Sequence, residues 1–333
     1  MFPTATIKSS RLWATIRTWH LTENMRINVS GLSEEENEGN REFGSSLLAL
    51  GEGIGQVEDY HVVKIPSLNL ISSNDEDRAN DTLIDFVYEK LSLDAQRNPE
   101  NDTDYLTKRC ILAPLNADVR KLNSQVLSRI RGASSKSKSI DVPDPDGLAS
   151  LPEEVLNKLS IPNFPEHELE LKLGMPVVVL RNLYIKKGVC NGTRMVLTYV
   201  GMGSVEGKLV SGPFRGETIM IPKIKLHHKG SMKSGLSFFR HQFPLAPAYA
   251  MSINKSQGQT LSCVGIMLKN SCFAHGQLYV ALSRVTEKKN LMVCKVDKKD
   301  GLINVVHQSI FSKSCEKPEG FGLDHSSNRS SAE

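Results

Sequence analysis

The chain has 333 residues, 39% hydrophobic and 23% charged, a balance that excludes a fibrous chain or wholesale disorder and allows a buried core without a metal or disulfide staple. Its 41 Lys and Arg against 37 Asp and Glu leave a formal charge of +4, which permits a phosphate-rich partner without arguing for one. The opening MFPTATIKSSRLWATIRTWH has no long apolar stretch, and no later run approaches the ~18 apolar residues of a membrane span, so an intracellular protein without a membrane partner is expected. Cysteines at 110, 190, 263, 272, 294 and 315 are scattered through predicted strands and helices and read as reduced thiols. Cys272 and His275 form a C-x-x-H pair, but no second pair follows at ligand spacing, so no zinc site is expected.

In chain order, Leu12, Trp13 and Ile16 lie at helical spacing before the polar HLTENMR. After the Glu-rich GLSEEENEG, the segment FGSSLLALG predicts a short helix carrying Leu47, Leu48 and Leu50 and stopped by Gly51. The glycines of GEGIGQVED follow a helix and not a strand, so they read as a loop and not a dinucleotide fingerprint; extended VVKIP comes next. DTLIDFVYEKL aligns Leu83, Ile84, Val87, Tyr88 and Leu91 and predicts a surface helix. CILAPLNADVRKLNSQVLSRI is the clearest strand-to-helix unit, with Asn116 as the cap and Val119, Leu122, Val126 and Ile130 as the buried face.

ASSKSKSIDVPDPDG, rich in Ser, Pro and Asp, predicts an irregular connection. From about 169 to 243 five short strands separated by Gly, Asn or Pro turns predict a small barrel-like insertion or edge sheet. α/β character returns in AYAMSINKSQGQTLSCVGIMLKN, GQLYVALSRV and NLMVCKV, so one split domain surrounding an insertion is the simplest arrangement. After Phe311 too little apolar content remains to pack, and a disordered tail is expected.

No G-x-x-x-x-G-K-[ST], nucleophile elbow or H-E-x-x-H occurs, and no strand-terminal acidic pair has a claim to magnesium, so hydrolysis by this chain alone is not expected. Two arginines stand out: Arg26 ends LTENMR and Arg284 ends LYVALSR, each a permanently charged planar donor suited to phosphate oxygens across a cleft. A surface arginine or an internal ion pair is the plainer reading of either. INKSQGQT concentrates Asn254, Lys255, Ser256, Gln257, Gln259 and Thr260 around Gly258, a donor set for a nucleic-acid backbone or a nucleotide, with a solvated polar loop as the alternative.

HLTENMR, ILAPLNADVRKLN, LKLGMPVVVLRNLYIKKGVCNGTR, PLAPAYAMSINKSQGQTL and FAHGQLYVALSRV occur in an order that resembles the petite-integration-frequency (PIF) family of superfamily 1 DNA helicases, including its rolling-circle-transposon relatives. The resemblance implies an α/β fold: a second RecA-like motor domain with a small SH3-like β-barrel insertion, the first motor domain being largely absent. Residues 1–20 would lead from that missing domain, 21–150 and 244–311 would form the split motor domain, 151–243 the insertion and 312–333 the tail.

It implies an ATP-dependent DNA helicase, or part of one, acting with ATP and Mg2+ that this chain alone does not hold productively. Arg26 and Arg284 would be catalytic and, with Gly258 and Gln259, nucleotide-binding. Lys255, Ser256, Gln257 and Thr260 would meet nucleic acid, and His275 and Gln277 would lie near the nucleotide-sensing region. The implied partners are single-stranded DNA, duplex junctions and a first motor domain in cis or in trans. The implied compartment is the nucleus, with the mitochondrion second, and the implied processes are repair, recombination and telomere maintenance. A catalytically inactive DNA-binding or interaction fragment is the alternative.

Overall fold

The computed structural model describes residues 10–17, 19, 33–54, 60–65, 68–93, 103–147, 151–230, 236–296 and 301–307. The chain divides into two units, Met1–Trp19 with His307–Glu333, and His20–Val306. In the first, the helix predicted around Leu12 reduces to a single 3-10 turn, Trp13–Thr15, closed by the Thr15 hydroxyl donating to the Leu12 carbonyl. Leu12 and Ile16 remain exposed, so no buried face supports the longer helix that their spacing predicts. The expected tail at 312–333 lies outside the described residues.

The second unit contains, in order, α1 (Glu34–Glu52), β1 (Tyr60–Val63), β2 (Leu70–Ser72), α2 (Glu76–Leu93), α3 (Thr103–Thr107), β3 (Arg109–Ala113) and α4 (Asn116–Arg129). Then follow β4 (Ser134–Lys138), β5 (Ile140–Pro143), α5 (Glu153–Lys158), β6 (Glu168–Lys172), β7 (Pro176–Val179), β8 (Arg194–Val200), β9 (Ser204–Leu209) and β10 (Thr218–Pro222). The remainder is β11 (Ile224–Lys229), β12 (Ser237–Gln242), β13 (Leu245–Pro247), β14 (Ala250–Ser252), β15 (Cys263–Leu268), α6 (Gln277–Leu282), β16 (Leu291–Lys295) and β17 (Leu302–Val305).

A five-stranded parallel sheet in the order β14-β3-β15-β16-β2 is the frame of the unit. Its strands are continuous apolar runs because both faces are covered, as all-parallel sheets require. On one face α2 and α4 bring Leu83, Val87, Leu122 and Val126 against Ile111 and Met267. On the other, α1 and α6 bring Phe43, Leu47, Leu278 and Leu282 against Leu112 and Ile266. Gly265 lets α2 approach the sheet closely, since a Cβ there would sit 2.7 Å from Leu83 Cγ.

The strands between α4 and β14 make two antiparallel sheets, β10-β9-β8-β7-β13 and β11-β12-β5, and the pair β4-β6. In chain order they fall between the β3–α4 pair and β14 of the parallel sheet. Two buried cations fasten the two parts. Lys172 Nζ donates to the carbonyls of Leu127 and Ile130 at the end of α4, and Arg194 donates to those of Thr107 and Ala248.

Several sequence expectations need correction. The helix predicted from Phe43 to Gly51 begins at Glu34, inside the Glu-rich piece, where Ser33 and Glu36 form a capping box and three glutamates face the positive helix end. It runs through Gly51 and ends at Gly53, whose φ of 67° supplies the left-handed turn. The predicted surface helix is a core helix: α2 starts at Glu76, and Leu83, Val87 and Tyr88 are almost wholly buried. Asn116 is the first residue of α4 and not its cap; Leu115 occupies the cap without a side-chain bond. The predicted irregular connection at 133–147 contains β4 and β5, which form because β6 and β12 offer ladder partners far along the chain. Asp141 in β5 is fully buried in a bidentate ion pair with Arg240 of β12 (2.8 and 2.6 Å), whose guanidinium also donates to the carbonyls of Leu156 and Pro165.

Candidate nucleotide and nucleic-acid site

β14 is an edge strand of the parallel sheet, and Asn123 of α4 closes its open side. The Asn123 amide donates to the Ala250 carbonyl and accepts from the Ala250 N–H, both at 2.9 Å, and donates to the Val119 carbonyl at 3.0 Å. This clamp fixes the strand that runs directly into the 3-10 turn Ile253–Ser256. Ser256 is fully buried, and its hydroxyl donates to the Ile253 carbonyl at 2.7 Å, so its side chain braces the turn from within. Gly258 has φ 84°, a conformation that a side chain would strain. The result is that Lys255, Gln257, Gly258 and Thr260 are exposed, with Gln259 half-buried and its amide donating to the Lys255 carbonyl.

Arg284 lies beneath this turn and not on the surface. It is 5% exposed, and its guanidinium donates to the carbonyls of Val280 (2.7 Å), Gln259 (3.0 Å) and Ser256 (3.4 Å) and to the Ser283 hydroxyl (2.7 Å). The planar fork thus ties the end of α6 to the two ends of the Ser256–Gln259 turn. Gln277, 2% exposed at the start of α6, adds a second tie: its oxygen accepts from the Phe273 N–H at 3.0 Å and its amide reaches Asn254 at 3.5 Å. His275 is exposed. The structure therefore brings together Arg284, Gln277, Ser256 and Gln259; Arg26 lies outside the described residues.

Lys255 stands at a cleft of about 340 Å³ between α4, β14 and the strand-rich insertion. Asn116, Arg120 and Ser124 line the helix side, Phe164 and Glu166 the loop before β6, and Val178 and Leu180 the insertion. Loss of water contact against this wall lowers the Lys255 ammonium below the usual lysine value. Arg120 lies 3.8 Å from Glu166, which also accepts from the Ser160 hydroxyl, so Glu166 is internally matched. Sequence reasoning missed Asn123, Arg120 and the cleft. The signal for Asn123 was its place between Leu122 and Val126 on a buried helix stripe, where an amide needs partners.

Among the described residues, no group of three or more His, Cys, Asp and Glu could hold a metal ion, and no helix is long and apolar enough to cross a membrane.

Two family profiles match: residues 2–61 match PIF1-like helicase, and residues 154–200 match the 2B domain of DNA helicase Pif1. The chain is 39% identical over 132 residues to the human ATP-dependent DNA helicase PIF1, an alignment covering 39% of this chain and 20% of that protein. It is 32% identical over 216 residues to the Xenopus laevis ATP-dependent DNA helicase PIF1, covering 65% of this chain and 31% of that protein. The chain therefore spans about a fifth to a third of the length of these curated relatives. The crystal structure of a Bacteroides Pif1 helicase in complex with ADP-AlF3 and single-stranded DNA is similar with a TM-score of 0.50 at 20% identity, over 87% of this chain and 54% of that one. The parallel sheet with helices on both faces is of the RecA-like α/β class. Over these matched segments the chain is similar to PIF1-like helicases.

Proposed function

We propose that this chain forms one wall of the motor of an ATP-dependent DNA helicase, coupling nucleotide to a single DNA strand when a first motor domain completes the cleft in cis or in trans. The strand-rich insertion is its SH3-like barrel. The observation that carries this reading is Arg284, which joins α6 to the Ser256–Gln259 turn, so the arginine assigned to the nucleotide and the Lys255 assigned to DNA share one rigid junction. The chain has no phosphate loop of its own, so ATP and Mg2+ would be held chiefly by the completing domain. Arg284 and Arg26 would supply cationic donors to the phosphates, Gly258 would let the backbone approach them, and Gln259 would transmit the change. Lys255, Gln257 and Thr260 would face the strand, with Ser256 holding their turn, and duplex junctions would be met by the completed enzyme. A nuclear or mitochondrial role in repair, recombination or telomere maintenance follows from the same reading.

The test is DNA-stimulated ATP turnover by the completed enzyme carrying Arg284→Ala or Arg26→Ala. Loss of one transition-state donor costs roughly 3 to 4 kcal/mol, which lowers turnover by about two to three orders of magnitude. Unchanged turnover in both folded variants defeats the assignment, and robust ATP hydrolysis by the isolated chain defeats the need for a second domain.

A further inference from the structure

The β11-β12-β5 sheet has one face packed on α5 through Leu156, Leu226 and Phe238, while among the described residues its other face is open. Alternation along β11 sends Lys225, His227 and Lys229 to the open face, with spacings of ~6.7 Å between successive cations or imidazoles. On β12 the register puts His241 beside Lys225, Phe239 beside His227 and Ser237 beside Lys229. On β5, Val142 lies beside Phe239 and Ile140 beside His241, and these two aliphatic side chains are 50% and 62% exposed. The face therefore grades across three strands from a basic row, through an aromatic and imidazole row, to an aliphatic edge.

The centre of the face is organised. Lys225 Nζ lies 4.0 Å from the Phe239 ring centroid, and the His227 imidazole stacks on that ring at 4.3 Å and 23°. His227 Nε2 and the Ser237 hydroxyl converge on Asp144 at 2.8 and 2.6 Å, which fixes the imidazole and leaves that carboxylate occupied. The one acid within the three strands, Asp141, is buried on the opposite face with Arg240. No carboxylate of β5, β11 or β12 thus reaches the open face.

We propose that this face is a second nucleic-acid surface, distinct from the motor cleft, which takes a single strand with its phosphates along β11 and its bases over β12 and β5. Two lysines on one strand, about 13 Å apart with an imidazole between them, fit the spaced phosphates of a polyanion. The adjacent aromatic and aliphatic rows offer flat apolar contact that every base can use, so binding is independent of sequence. An acidic, apolar protein segment would use the same charges but has no need of their regular spacing.

The experiment uses the full chain with Val142 replaced by a photoreactive benzophenone side chain, a fluorescent 12-nucleotide thymidine strand and a salt titration of its binding. The strand is expected to crosslink at position 142. Lys225→Gln with Lys229→Gln, both at the surface, should remove that crosslink and reduce the salt slope by about 1.4, because each single-strand phosphate that a lysine neutralises adds ~0.7 to the slope. Lys255→Ala, in the cleft, should leave the crosslink in place, which separates failure of this face from failure of the cleft. Circular dichroism verifies that each variant is folded. The proposal is overturned if no strand crosslinks at 142, if the double variant retains the crosslink and the slope, or if an acidic peptide crosslinks there and the strand does not.

Discussion

Replacing Asn123 with alanine tests whether one amide sets the geometry of the candidate site. The side chain makes three hydrogen bonds, and two of them satisfy the N–H and C=O of Ala250, a residue that is 1% exposed. A buried backbone group left without a partner costs about 1 to 3 kcal/mol, so two such groups predict a loss of roughly 2 to 6 kcal/mol before any water enters the space. With a urea dependence of about 3 kcal/mol per molar, a loss near the middle of that range moves the midpoint down by a little over 1 M. The assay is urea unfolding followed by far-ultraviolet circular dichroism, because both tryptophans, Trp13 and Trp19, belong to the smaller unit. Asn123→Asp should be no milder, since it keeps an acceptor for the Ala250 N–H but turns a carboxylate toward two carbonyls. A midpoint for Asn123→Ala within about 0.2 M of the parent, the range of an ordinary surface substitution, would refute the clamp.

Further consequences follow from other parts of the unit. Asp141→Ala strands a fully buried guanidinium and should cost about 3 to 5 kcal/mol in the same assay, whereas a loss below 1 kcal/mol would show that Arg240 is satisfied without it. Burial pushes the Cys110, Cys263 and Cys294 thiols up to about 11 and Cys272 up to about 12, so these four should resist iodoacetamide at pH 8 until the chain is unfolded, as peptide mass mapping would reveal. Because the unfolded thiols ionise first, the fold should lose stability as pH rises from about 9 toward 11, and a flat alkaline profile would contradict their burial. Lys255, held below the usual lysine value, should acylate readily at pH 8 and more slowly with single-stranded DNA bound; equal rates with and without DNA would remove it from the contact set.

The parallel sheet was legible where a strand and its helix are neighbours in sequence. CILAP and the stripe Val119, Leu122, Val126 specify β3 and α4 through local periodicity and a proline stop. β4 and β5 were not legible, because SSKSK and IDVP have no apolar alternation facing a core; their ladder partners lie in β6 and β12, and Asp141 is tolerated only because Arg240 meets it. The full length of α1 was missed because the Glu-rich piece was placed before the helix, whereas Glu34, Glu35 and Glu36 form its first turn and Glu36 closes the capping box with Ser33. At the site, the type and spacing of INKSQGQT pointed to donors near a turn. Which of them face outward depended on a buried serine bond and on Arg284 lying underneath, and both are properties of packing across separate elements.

The strand order β14-β3-β15 has a consequence for how the chain is made. Both neighbours of β3 follow it in sequence, beyond the strand-rich segment. At synthesis rates of roughly 5 to 20 residues per second, the roughly 140 residues between β3 and β14 keep β3 waiting for about 7 to 28 seconds. During that interval an apolar strand that ends up paired on both sides has two unpaired edges, the condition under which chains associate with one another. α4 emerges immediately after β3 and can cover one face of it, whereas slower synthesis of the segment between α4 and β14 would lengthen the interval in which the edges of β3 stay open.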